Sequence, residues 1–328
     1  MREGSGLLGF LARSPRGDNL TPVPEKKPTT YWDYIRIEEL TSLQSGLADS
    51  EDELANDEVL FITVHQVFEL WFKLILRELR TARDLFRKDP VAEQELSGAV
   101  RSLKRVTTIL RRCADHFEVV ETLTTREYLA FRDKLFPASG FQSRQLRQIE
   151  IVMGLEEEDR VPFGAEKGFA AALKEPDGTP SVSMQKVRET QAEGASLREA
   201  IDEWLYRTPI DGVSLEDPEG EAALDRFLTR FLGAYDAESA SSRSIALSNA
   251  KGPEEVERID EMYADEGASV RAFFSPNEAK GGARRRRIRA AALFVETYRE
   301  LPLLAWPREV LDSLVELEQQ FVVFRQRH

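Results

Sequence analysis

The stretch LFITVHQVFELWFKLILREL, Leu60 to Leu79, is apolar on nearly every side and reads as one long helix. At 3.6 residues per turn, Phe61, His65, Phe68, Glu69 and Phe72 share one side of it. His65 is one of only three histidines in 328 residues. A lone histidine on an apolar face usually bonds a nearby carbonyl or carboxylate, and Glu69 stands one turn away. The alternative is a ring reaching into an aromatic pocket. Because His65, Gln66, Glu69 and Lys73 interrupt the run, it is expected to be a core helix and not a membrane span.

Working outward, helical spacing recurs along almost the whole chain. Segments 33–47, 59–86, 95–120, 125–134, 141–153, 187–206, 219–240, 253–274, 285–298 and 307–328 are expected as helices. The pair Thr124–Thr125, followed by Glu127, caps the start of one of them. The string FPASG is a turn, and residues 154–182, rich in Gly, Pro and acids, are loop. No stretch alternates with period two for long enough to argue for a sheet. The expected fold is all-α, a helical bundle forming one domain over 29–328 behind a flexible tail, 1–28.

Hydrophobic residues make up 41% and charged residues 31% of the chain, as in soluble globular proteins. The net charge of −13 argues against nucleic acid or anionic membrane as a general partner. The arginine run ARRRRIR, Ala283–Arg289, is expected to form a solvated face. A single cysteine, Cys113, excludes an internal disulfide framework and fits a reducing compartment. The apolar patch Leu7–Ala12 is too short for a signal segment, so a cytoplasmic protein is expected.

Two further stretches place polar groups in apolar company. In TTREYLAFRDKLFPASGFQS, Thr124–Ser143, Tyr128 and Arg132 are four apart and point the same way, with Leu129, Phe131 and Leu135 around them. The planar fork of Arg132 suits a carboxylate, either of a ligand or of an internal partner such as Asp133 or Glu127. Ser139 and Gly140 add little bulk to the turn that follows. In the last helix, Leu314, Leu317, Phe321, Phe324 and His328 step by three and four along one stripe. A terminal histidine is ordinarily without consequence.

Taken together, LFITVHQVFELWFKLILREL, LTTREYLAFRDKLFPASGFQSRQLRQIE and AALFVETYRELPLLAWPREVLDSLVELEQQFVVFRQRH resemble the tryptophan 2,3-dioxygenase family, in order and at similar separations. The segment YWDYIRIEEL, Tyr31–Leu40, looks like that family's N-terminal Tyr-x-x-Tyr segment. The resemblance runs from about Tyr31 to His328 and is looser over 154–290. It implies an all-helical homotetrameric enzyme that uses haem b and O2 to convert L-tryptophan to N-formylkynurenine. His65 matches the distal histidine that hydrogen-bonds the indole N–H, and Phe61 a phenylalanine lying over the haem. Arg132 matches the arginine that grips the substrate carboxylate, and Tyr128 its neighbour. Leu135, Ser139 and Gly140 match pocket wall and turn. Tyr31 and Tyr34 match tyrosines lent by a neighbouring subunit, and His328 matches the proximal ligand of the haem iron.

The sequence departs from the pattern in two places. The family's chain continues past the proximal histidine to a Gly-Thr-Gly-Gly loop, whereas here the one Gly-Gly pair is Gly281-Gly282. Arg144 stands where a neutral residue is usual. These departures leave two alternatives open: a related haem monooxygenase acting on an aromatic amino acid or indole, and a helical scaffold without catalysis.

Overall fold

In the computed structural model, which describes residues 29–136, 142–155, 173–174, 178–275 and 281–328, the long apolar segment forms α3 (Asn56–Phe86), thirty-one residues in length. It packs against α4 (Glu93–Val120), α6 (Arg144–Met153) and α8 (Leu197–Arg207). By length and composition α3 could cross a bilayer. In this fold, however, its apolar side is the centre of the core: Ile75, Leu79, Ala82 and Phe86 have no exposed surface. Opposite them lie Leu103, Val106 and Leu110 of α4, equally enclosed. Burying each such side chain contributes about 1.5–3 kcal/mol, which is what fixes the helix pair.

The remaining helices are α1 (Tyr31–Ile35), α2 (Ile37–Leu40), α5 (Thr125–Leu135), α7 (Val182–Gln191), α9 (Gly220–Ser248), α10 (Pro253–Phe274), α11 (Gly282–Thr297) and α12 (Ala305–Arg327). Among the described residues there is no strand, only two isolated bridges, and the all-α expectation holds. The chain divides into two compact units, Met1–Leu54 and Ala55–His328. The first holds α1 and α2, separated by Arg36 in the left-handed region (φ 55°), and neither helix contains a buried residue. In the second, α12 lies along α4 and places Leu317, Phe321 and Phe324 in the core. The expected tail 1–28 and most of the loop-rich 154–182 lie outside the described residues.

Three expectations are corrected. The single helix expected over 187–206 is two, α7 and α8, because Gly194 adopts a φ of 96° and Ser196 opens α8 with a capping box to Glu199. The helix expected over 219–240 continues to Ser248, since the small polar residues after Ala240 carry no breaker. The arginine run is a solvated face only in part: Arg284 and Arg285 are exposed, but most of the run is paired. Arg284 pairs with Glu203 of α8 and lies over Tyr206, Arg286 reaches Asp225 of α9 at 2.7 Å, and Arg289 bonds the Phe273 carbonyl of α10. Arg287 is almost wholly buried, its Nε donating to the Tyr206 carbonyl at 2.9 Å. The run ties three helices to α11.

Candidate functional site

One side of the N-terminal half of α3 borders an open cavity of about 480 Å³, and the residues expected there do meet in it. From α3 come Phe61, His65, Phe68, Glu69 and Phe72; from α5, Tyr128, Arg132 and Leu135; from the end of α12, His328. Phe117 of α4, Gln142 and Ser143 complete the wall. A larger groove of about 790 Å³ around Trp204, Phe294 and Leu303 is lined mainly by apolar groups and carries no imidazole. Chemistry, not size, selects the first.

The α5 side is set by three local devices. Thr124 caps the helix and exchanges hydrogen bonds with Glu127 in a capping box. Phe131 is buried with its ring 5.4 Å from that of Phe61, and Lys134 reaches back to Glu58 of α3 at 2.7 Å. These contacts hold Tyr128 and Arg132 toward the cavity. Among the described residues no carboxylate stands within ion-pair distance of Arg132, and Glu127 is engaged with its own cap. The internal salt bridge that the sequence left open is therefore not formed with Asp133 or Glu127.

Nor does His65 bond Glu69. Its Nδ1 lies 2.7 Å from the Phe61 carbonyl oxygen one turn back, so Nδ1 carries the proton and donates. A neutral ring held in that tautomer presents Nε2 as an acceptor. Glu69 is occupied by α6 instead: Ser143 Oγ donates to it at 2.6 Å and Gln145 Nε2 at 2.6 Å. Because Ser143 is also the N-cap of α6, this carboxylate pins the start of α6 against α3.

His328 ends the apolar stripe of α12, with its ring 6.0 Å from Phe117 and 5.8 Å from Phe324. The residue as a whole is exposed. Even so, the protein packed around the ring lowers its pKa below the usual imidazole value, and the charges of Arg147 and His65 push the same way. Neutral imidazole is the form that can give a lone pair to a metal. No hydrogen-bond partner for its ring occurs among the described residues.

The structure does not unite all the expected residues. Ser139 and Gly140 lie outside the described residues. Tyr31 and Tyr34 belong to the first unit, where both are exposed, at 72% and 82%. Arg144 is exposed at the start of α6 and is not part of the cavity wall. Phe117 and Ser143 were not singled out from sequence as wall residues. Phe117 continues the α4 stripe Val106, Leu110, Cys113, and Ser143 is a Ser N-cap ahead of an amphipathic helix, so both carried a usable signal.

An all-helical chain with two imidazoles and an unpaired guanidinium around one aromatic-walled cavity has the makings of a ligand-binding enzyme site. The family model described as tryptophan 2,3-dioxygenase matches residues 21–328. The chain is 50% identical over 307 residues to the tryptophan 2,3-dioxygenase of Sorangium cellulosum (strain So ce56), covering 92% of this chain and 73% of the relative. It is 47% identical over 307 residues to tryptophan 2,3-dioxygenase 2 of Ralstonia nicotianae, covering 92% and 82%. A tryptophan 2,3-dioxygenase-like protein of Xanthomonas campestris pv. campestris (strain 8004) is 42% identical over 211 residues, 63% of this chain and 76% of that one. This chain belongs to the tryptophan 2,3-dioxygenase family and is an oxidoreductase of that kind.

Proposed function

We propose that the protein is a haem-dependent dioxygenase that opens the indole C2–C3 bond of L-tryptophan with O2 to give N-formylkynurenine. The observation that carries this reading is the set of unsatisfied polar groups around one apolar cavity: the Arg132 guanidinium, the free Nε2 of His65 and the His328 ring. Haem fits the donor set. Among the described residues no three His, Cys, Asp or Glu side chains converge to hold a bare ion, so a metal here needs a macrocycle to supply its other ligands. Phe61, Phe68, Phe72 and Phe117 would supply the aromatic walls that such a ring needs, and His328 would hold its iron.

Bound haem supplies the activation of O2. The protein's share is placement. Arg132 takes the substrate carboxylate through a two-pronged contact, with Tyr128 and Leu135 beside it. His65 accepts the indole N–H at Nε2, because its other nitrogen is committed to the Phe61 carbonyl. The rest of the wall excludes water from the indole ring. Tyr31 and Tyr34, exposed together with Trp32, Leu43 and Leu47, suit a segment that completes the site of a neighbouring copy in a homotetramer. A cytoplasmic setting suits the one thiol: burial pushes Cys113 up to about 12, which leaves it inert.

The test is direct. Purified chain supplied with haemin should show a Soret band. Reduced and given L-tryptophan and O2, it should yield a product heavier by two oxygen atoms. Absence of the Soret band overturns the reading, and a product heavier by one oxygen atom replaces it with a monooxygenase.

A further inference from the structure

Arg327, which closes α12, and His328, which follows it, both lie against α4, by different means. The His328 ring meets that of Phe117 on α4, centroids 6.0 Å apart, and no polar contact fixes its angle among the described residues. The backbone N–H of His328 donates to the Phe324 carbonyl at 3.0 Å, so the place of the ring follows that of the turn before it.

Arg327 supplies the tie. Its Nη1 donates to the Ala114 carbonyl of α4 at 3.0 Å. Around that bond the guanidinium approaches Glu118 at 3.9 Å and Glu121 at 3.7 Å. Ala114 and Glu118 of α4 and Glu121, its C-cap, step by four and three along the stripe that also holds Phe117. Both carboxylates and the guanidinium are partly exposed, so the ion pairs are worth little by themselves. The bond to a main-chain oxygen is the specific element, because a helix backbone cannot swing away as a side chain can.

We propose that Arg327 is a positioning residue: by clamping the turn of α12 that precedes His328 to α4, it sets where the His328 imidazole stands across the cavity from α3 and α5. The inference rests on the reading of His328 as the residue that would hold the haem iron. Groups that orient a metal ligand typically change metal affinity by about ten- to a hundred-fold. Arg327 can be removed without losing the helix, since Leu317, Phe321 and Phe324 hold α12 in the core. Arg325, one turn-face away, lies over the Phe321 ring at 5.8 Å and makes a matched control of equal charge.

The experiment titrates haemin into the full chain freed of haem and follows the Soret and ferrous–CO bands. It compares the parent with Arg327→Ala, Arg327→Lys, Arg325→Ala and His328→Gly, with thermal melting alongside. Arg327→Ala should melt close to the parent, bind haemin about ten-fold more weakly, and shift its bands toward those of His328→Gly. Added imidazole should restore them. Arg327→Lys should recover part of the loss and Arg325→Ala should match the parent. If Arg327→Ala matches the parent in affinity and bands, or Arg325→Ala loses as much, the tether is wrong while His328 keeps its role. If His328→Gly itself keeps the parent spectrum, the ligand assignment fails and the tether with it.

Discussion

The two halves of α3 are about equally apolar and have opposite fates. Toward its C-terminus every charged group that turns inward meets its partner. Arg80 and Arg83 both bond Glu193, and Glu78 takes Arg105. The apolar side there is sealed, with Ile75, Leu79, Ala82 and Phe86 wholly enclosed. Toward the N-terminus the same side opens onto a cavity in which Arg132 has no carboxylate among the described residues and His65 keeps a free nitrogen. A buried charge with a partner holds a fold together. An unpaired charge beside an apolar cavity is a place for something else to bind.

Four measurements press on that contrast. The largest effect belongs to the sealed half: Leu79→Ala should lower unfolding stability by about 3 kcal/mol, the usual cost of an unfilled core site. Denaturant titration checks it, and haemin affinity in the folded fraction should not change. Arg132→Ala should do the reverse, leaving the melting temperature alone while weakening L-tryptophan binding by about 3 kcal/mol, roughly a hundred-fold. Arg132→Lys should recover only part, because an ammonium cannot form the two-pronged contact. Normal turnover in Arg132→Ala would assign the arginine to the scaffold and erase the contrast.

The third measurement uses acid. Burial pushes the Glu193 carboxyl up, but the hydrogen bonds and charges of Arg80 and Arg83 outweigh it, and the net value falls below the ordinary 4.5. A folded value below the unfolded one means that the stabilisation is complete above about pH 4.5 and is lost as pH falls through the lower folded value. Glu193→Gln should therefore flatten the stability curve on its acid side and leave substrate binding unchanged. The smallest effect is at His65. A neutral hydrogen bond is worth about 1 kcal/mol, so His65→Ala should fold, keep haem and lose part of its activity. It should also discriminate less against 1-methyltryptophan. Loss of the whole fold, with substrate preference unaltered, would return His65 to the core.

Much of this was legible because the decisive residues sit on long regular helices. Spacing alone put Phe61, His65, Phe68, Glu69 and Phe72 on one side of α3, and all five line the cavity. The same held for Tyr128, Arg132 and Leu135 on α5 and for His328 on α12. What spacing could not show was pairing. Glu69 was the obvious partner for His65, yet it bonds Ser143 and Gln145, whose approach depends on how α6 packs. The arginines of α11 looked solvated because their partners, Glu203, Asp225 and the Phe273 carbonyl, are remote in sequence. The break between α7 and α8 was readable in Ser196 and Glu199, and a helical run through Gly194 obscured it.

Drawing five wall residues from a single uninterrupted helix has a consequence for how the gene can change. One residue inserted or deleted between Phe61 and Phe72 turns everything beyond it by about 100° and slides it by about 1.5 Å. That one event would carry Phe68 and Phe72 out of the cavity and drive charged neighbours such as Lys73 and Arg77 toward the enclosed layer behind it. Substitutions along α3 can be tried one at a time, but a change of length cannot, so differences in length between this chain and its relatives should fall outside this helix.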